Sequence, residues 1–198
     1  WEFRNQKEHF TFSKILSWVA VDRGVKIARH IGKNYASDLW QPVADTIRQD
    51  IDAKGWNEKK KAYTQWYDSP NFDASLLLIN RYGFIQNDNP RWISTVLRCE
   101  EALMKNGYGF RYTSADDFGK PKNAFIVASL WIAKALYSIG EKERGKTLFE
   151  NILSKVNHVG LLSEDIDPDT GELLGNFPQA YSHMALINTA NVIGKGES

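Results

Sequence analysis

Residues 124–156 read AFIVASLWIAKALYSIGEKERGKTLFENILSKV, and their reading decides the fold. Over 124–139 the apolar residues fall on almost every side of a helix. A helix of that kind is buried on most sides. Gly140 ends it. Over 141–156 the pattern changes to one face only, with Leu148, Phe149, Ile152, Leu153 and Val156 together. A helix with one apolar stripe touches neighbours on one side. An all-round apolar helix followed by a one-sided helix implies two concentric layers.

The alternation extends outward from that pair. Ser13 is read as the N-cap of a broad-apolar helix over 13–31, closed by Gly32, with Ile15, Leu16, Trp18, Val19, Ala20, Val25 and Ile27 spread over more than one face. A narrow-stripe helix follows over 38–53, carrying Leu39, Val43, Ala44, Ile47 and Ile51 and ending at Gly55. Residues 56–72 are irregular and aromatic. A short apolar helix is expected over 73–80. The turn Asn87-Asp88-Asn89-Pro90 then opens a helix that continues to Gly107, with Pro90 in its first turn. A last helix runs from Pro178 to about Ile193. That makes about seven helical segments with little strand signal, an all-α chain. A toroid of helical hairpins produces this alternation, and so does a superhelical repeat array. No repeat at fixed period is present, which disfavours the array.

Composition narrows the function. With 42% hydrophobic and 25% charged residues, the chain is that of a soluble globular domain. A net charge of +1 without a basic cluster gives no footprint for nucleic acid or an acidic membrane surface. No apolar run is long enough to span a bilayer. The single Cys99 excludes an internal disulfide and a multi-cysteine metal site. It fits a reducing compartment, so a cytoplasmic location is expected. The 13% aromatic content suits stacking against flat ligands such as sugar rings, although any single aromatic is first a core anchor.

The candidate chemistry lies in two places. Residues 160–185 place Glu164 beside a turn-rich loop, Asp167-Pro168-Asp169-Thr170-Gly171, and loops on rigid scaffolds carry function. Glu2 lies in Trp1-Glu2-Phe3-Arg4. Each alone reads as a solvated acid, Glu2 paired with Arg4 at little gain. As a pair they suit an inverting glycosidase. There one carboxylic acid protonates the leaving oxygen and a carboxylate roughly 6.5–9.5 Å away activates water on the opposite face. Arg111-Tyr112, before the buried helix, could hold sugar hydroxyls through the guanidinium fork, or pair with Asp116 or Asp117. Asp165, Asp167 and Asp169 lack calcium-loop spacing and read as a turn. His9, His30, His158 and His183 show no zinc spacing. No cofactor is implied.

These residues resemble a known family. WEFR at 1–4, FTFSKILSWVAVDRGVKIA at 10–28, FDASLLLINRYGFI at 72–85, NDNPRWISTV at 87–96, GFRYTSADD at 109–117 and GLLSEDIDPDTGELLGNFPQAYSHMALI at 160–187 are similar to the catalytic domain of glycoside hydrolase family 15. Glucoamylase-like enzymes (glucan 1,4-α-glucosidases), trehalases and glucodextranases belong to it. The resemblance implies an (α/α)6 toroid and identifies residues 1–198 as the C-terminal portion of that one domain, its second half, with the N-terminal portion lying outside the chain. It implies inverting hydrolysis with Glu2 as general acid and Glu164 as general base. Trp1, Arg111, Tyr112 and Tyr181 match substrate-binding positions. The expected substrate is an α-1,4-glucan or maltooligosaccharide releasing β-glucose, with trehalose as the alternative. A non-catalytic helical regulatory domain is the reading from a different class. The missing half would supply further sugar contacts, so this piece is expected to be inactive alone and to self-associate or pair with that half.

Overall fold

The computed structural model describes residues 7–194. Six α-helices carry the architecture: α1 (Thr11–His30), α2 (Asn34–Lys54), α3 (Pro90–Leu103), α4 (Ile126–Ser138), α5 (Lys142–Leu153) and α6 (Ala180–Gly194). A 3-10 turn, Ala74–Leu78, stands between α2 and α3. In space α1 touches the 3-10 turn, that turn touches α4, and α4 touches α6, which makes an inner row. Helix α2 packs behind α1, α3 behind the 3-10 turn and α4, and α5 behind α4. The predicted two layers are therefore present, bent into an arc of helical hairpins.

Helix α4 sits in the middle of the arc. Ile126, Val127, Ala128, Leu130, Ile132 and Ala133 are fully buried, as an all-round apolar helix requires. Each large aliphatic side chain buried there is worth about 1.5–3 kcal/mol. The ends of the row differ. On α1, Ile15 is buried but Ile27 is 60% exposed, and on α6 Met184 and Ile187 are exposed while Ala185 is buried. The breadth of the apolar pattern on α1 is thus real, but only part of it is covered within this chain. On α2 the stripe is shorter than expected: Ala44 and Ile51 are buried, whereas Leu39 is 70% exposed and Val43 is also exposed.

Helix boundaries moved for identifiable reasons. Helix α1 starts two residues early, because Phe10 bridges Trp66 and Thr11 N–H donates to Gln65 O at 3.0 Å; Ser13 lies inside the first turn and caps nothing. The short segment after Asp73 is 3-10 rather than α, with Asp73 Oδ1 accepting from Ser75 N–H at 2.8 Å. Asn89 caps α3 by accepting from Arg91 N–H at 2.9 Å, with Pro90 at its start. Helix α3 stops at Leu103 because Met104–Lys105 (β3) pairs with Tyr108–Gly109 (β4) around Asn106 and Gly107, both at positive φ. Residues 56–72 hold a further hairpin of Trp56–Asn57 (β1) and Ala62–Tyr63 (β2). The remaining strands, Ala124–Phe125 (β5), Asp165–Ile166 (β6) and Leu173–Leu174 (β7), form one antiparallel sheet in the order β5-β6-β7.

The α4–α5 crossing depends on a glycine. A Cβ at Gly145 would fall 2.7 Å from Ala133 O and 2.9 Å from Tyr137 N, both backbone atoms of α4. Helix propensity favours alanine over glycine by up to about 1 kcal/mol. Here Gly145→Ala is expected to destabilise by about 1–3 kcal/mol through overpacking. Gly24→Ala, whose nearest contact would be the Trp40 ring at 3.4 Å, is expected to be neutral or stabilising. Urea unfolding of both variants checks the pair, and a Gly145→Ala protein at least as stable as wild type would show the crossing to be looser than described.

Candidate active site

The loop bearing Glu164 is tied to the most buried helix. Strand β5 leads directly into α4, and β6 pairs with it, Phe125 opposite Asp165 and Ala124 opposite Ile166. Glu164 precedes β6, and its carbonyl accepts from Ile126 N–H at 3.1 Å. That N–H belongs to the first residue of α4, where no intrahelical partner is available. Ser182 Oγ, from α6, donates to Ser163 O at 2.7 Å, and Leu162 N–H donates to His183 Nε2 at 3.1 Å. The backbone on both sides of Glu164 is therefore held by α4 and α6. The half-buried His183 thereby serves as a hydrogen-bond acceptor for the loop.

The half-buried Glu164 side chain has one committed oxygen. Asn176 Nδ2 donates to Oε2 at 2.7 Å. Oε1 has no hydrogen-bond partner among the described residues. Asp165, the next residue, points to the other face of the strand, as alternation requires. Its Oδ1 is buried without a hydrogen bond and faces Arg111 Nη2 at 3.6 Å, an ion-pair distance too long for a hydrogen bond. Burial pushes its carboxyl up from 3.8 to about 6, against the opposing pull of the Arg111 guanidinium, and the neighbouring Glu164 charge adds to the rise.

Arg111 lies between these groups and the aromatics. Its guanidinium stacks over the Phe125 ring at 4.5 Å. Phe125 meets Tyr181 edge-on at 6.4 Å, and Tyr181 meets Trp131 at 5.8 Å. Tyr181 and Trp131 in turn line a cavity of about 360 Å³ with Phe10, Phe12, Tyr82 and Asp73. That size is within the range of small-ligand sites. The buried Asp73 takes Ser75 Oγ at 2.5 Å and Gln65 Nε2 at 3.4 Å. Tyr112 is buried, and its hydroxyl donates to Asp116 Oδ2 at 2.5 Å, which holds the Asp116 carboxyl below its ordinary range.

A chain of contacts runs from Asp165 through Arg111 and Phe125 to Tyr181, and Glu164 adjoins it as the residue before Asp165. Tyr112 lies beside Arg111 with its hydroxyl occupied. Trp1 and Glu2 lie outside the described residues. Three participants were not singled out as site residues in the sequence: Asn176, Asp165 and Phe125. A signal for Asn176 existed, since a turn at 167–171 flanked by Ile166 and Leu173 implies a hairpin that carries residue 176 back to Glu164. The 167–171 segment is a turn: Asp167 Oδ1 accepts from Asp169 N–H at 2.7 Å and Thr170 N–H at 3.1 Å. Among the described residues no group of three or more His, Cys, Asp or Glu is arranged to hold a metal, and no helix is long and apolar enough to cross a membrane.

Asp165 generates a pH prediction. Its folded pKa is raised, so the folded chain holds a proton between about pH 4 and 6 that the unfolded chain releases. The group stabilises the fold below about pH 4, and that contribution is lost as pH rises through about 6. Asp165→Asn is expected to flatten the fall in urea midpoint between about pH 4.5 and 7. An unchanged pH dependence would place Asp165 in a more solvated setting.

Comparison with known proteins identifies the family and the fold. The family model for Glycosyl hydrolases family 15 matches residues 1–191. A protein named trehalase from Thermoplasma acidophilum is 37% identical over 191 residues, 96% of this chain and 33% of that protein. A protein named trehalase from Mycolicibacterium smegmatis is 41% identical over 191 residues, 95% of this chain and 28% of that protein. The chain spans about a third of the length of these curated relatives. The crystal structure of a bacterial glucoamylase complexed with acarbose superposes with a TM-score of 0.80 at 14% identity, covering 96% of this chain and 34% of that one. This likeness shows the fold alone: the layered arc is that of the (α/α)6 toroid. With the family match running from the Trp1 motif into α6, the chain belongs to glycosyl hydrolases family 15.

Proposed function

We propose that the protein carrying this chain hydrolyses an α-glucosidic bond with inversion, using Glu164 as general base and Glu2 as general acid. The observation that carries the reading is the state of Glu164. Its carbonyl is tied to α4 and the Leu162–Ser163 backbone before it to α6, its Oε2 is held by Asn176, and its Oε1 has no hydrogen-bond partner among the described residues. In the reaction, a water oxygen attacks the anomeric carbon while Oε1 takes its proton. Glu2 delivers a proton to the departing oxygen, and the freed sugar leaves as a β-glucose unit. The role of Glu2 rests on the Trp1-Glu2-Phe3-Arg4 motif.

Around that pair, Arg111 offers donors to sugar hydroxyls from a stack on Phe125, and Tyr181 with Trp131 supplies an aromatic wall. Trp1 fits a further wall beside Glu2. Tyr112, with its hydroxyl on Asp116, supports the segment that carries Arg111. Trehalose is the first substrate to consider, because the relatives at 37% and 41% identity are named trehalases. That reverses the order expected from the sequence, which put α-1,4-glucans and maltooligosaccharides first. No nucleic acid or membrane surface is called for. Cys99 is buried and its thiol is pushed up by that burial, an inert group compatible with the cytoplasm.

We also place the chain as the C-terminal half of one toroid. The inner row is covered in its middle at α4 and uncovered at α1 and α6, where Ile27, Met184 and Ile187 are exposed. An N-terminal half closing the ring would cover both ends, and in its absence two copies could cover each other.

Two outcomes follow. Assayed on trehalose, maltose and maltotetraose, the full protein should cleave trehalose, and Glu164→Gln and Glu2→Gln should each lower kcat by about 100- to 10,000-fold. Retention of turnover in Glu164→Gln would remove the base assignment, and failure of wild type on all three sugars would favour the non-catalytic regulatory reading. Residues 1–198 expressed alone should self-associate in light scattering and lack activity, and recover a 1:1 complex with the upstream half. A monodisperse, fully active monomer would contradict the half-toroid.

A further inference from the structure

We propose that Asn176 is the positioning residue for the water-activating carboxylate, brought there by an extra residue in the hairpin at Gly175. This rests on the reading of Glu164 as general base. The pairing of β6 with β7 sets Asp165 opposite Leu174. Continued without interruption, it would carry Gly175 past Glu164. Instead Glu164 N–H donates to Asn176 O at 2.9 Å, so the β7 side has gained one residue at this point. Such a bulge re-aims the side chain beside it.

Gly175 permits the offset for two reasons. It has φ of 77°, in the left-handed region that glycine adopts without steric cost. A Cβ there would lie 3.2 Å from both Glu164 Cβ and Glu164 Oε2. The carboxylate therefore lies directly against the glycine, and no larger residue fits without moving it.

The result is a carboxylate gripped from one side. Asn176 Nδ2 donates to Oε2 at 2.7 Å, and Asn176 N–H approaches the same oxygen at 3.4 Å. Both donors address Oε2 and leave Oε1 for water. A carboxylate free to rotate about its last torsion would present either oxygen in a broad range of directions. Held this way, it presents one oxygen along one direction, which is the condition for efficient proton abstraction. Asn176 itself is exposed, so its removal should cost the fold little and its catalytic effect can be measured separately.

The test uses the full protein with trehalose and, if trehalose is not cleaved, the sugar that wild type accepts. Asn176→Ala is expected to lower kcat by about 10- to 100-fold while KM stays within about twofold, because the loss falls on orientation rather than sugar binding. Asn176→Asp keeps the shape but sets a second carboxylate against Oε2. The acidic limb of its kcat/KM profile should therefore move to higher pH by about one unit or more. Melting temperatures within a few degrees of wild type (about 4 °C or less) establish that both variants fold. If Asn176→Ala does not fold, the Asn176→Asp profile decides alone. A wild-type kcat and pH profile in Asn176→Asp overturns the proposal, as does an Asn176→Ala loss confined to KM. If Glu164→Gln retains activity, the base assignment itself has failed. If Glu164→Gln is inactive and the Asn176 variants are normal, only the positioning role has.

Discussion

The antiparallel pairing of Phe125 with Asp165 is the constraint on which the site depends. It is only one rung of a two-residue ladder, but it joins two different parts of the molecule. On one side the chain enters α4, whose first residues are buried without remainder. On the other side it passes from Glu164 into the turn that returns as β7. Short strands are weak by themselves. This one is strong because α4 cannot shift without exposing its apolar surface, so the rung inherits the rigidity of the core. Geometry held by packed elements is more precise than geometry held by loops alone.

The same ladder separates two adjacent carboxylates. Glu164 and Asp165 are consecutive, and in an extended segment consecutive side chains point to opposite faces. Glu164 turns toward Asn176 and the open side, whereas Asp165 turns inward toward Arg111. Burial drives the Asp165 carboxyl up to about 6, and Arg111 keeps the rise from being larger. Arg111 meanwhile has Phe125 beneath it, the residue that pairs with Asp165 in the ladder. Cation, ring and carboxylate therefore come from three segments locked by one rung. A change in that rung would move all three together, so single substitutions among them are not expected to be additive.

The helices were legible in the sequence, and the ladder was not. Periodicity over 124–139 and 141–156 reports an all-round and a one-sided surface directly, and α4 and α5 bear both out. Strands of two residues contain no period to detect, which is why α3 was extended past Leu103 and why the sheet beside Glu164 went unread. Ser13 has the chemistry of an N-cap, but tertiary pairing of Phe10 and Thr11 starts α1 sooner. Glu164 could be singled out because it borders a turn. For Asn176 the turn at 167–171 signals a hairpin that returns residue 176 toward Glu164, but the offset at Gly175 that aims its side chain is set by backbone conformation, which the sequence marks only with a glycine.

The exposed apolar residues follow from the same distinction. A pattern in sequence records what a helix is suited to bury, and the structure records what this chain alone buries. For α4, in the middle of the inner row, the two agree. For α1 and α6, at its two ends, they disagree at Ile27, Met184 and Ile187. If the surplus were incidental, it should be scattered over the surface, since single exposed apolar residues are ordinary. On these two helices it lies at the two ends of the inner row. Leu39 and Val43 on α2, the helix packed behind α1, are exposed at the same end. The proposed half-toroid would leave both the inner and the outer helix at that end incompletely covered, whereas α4 and its partner α5 in the middle leave less apolar surface open.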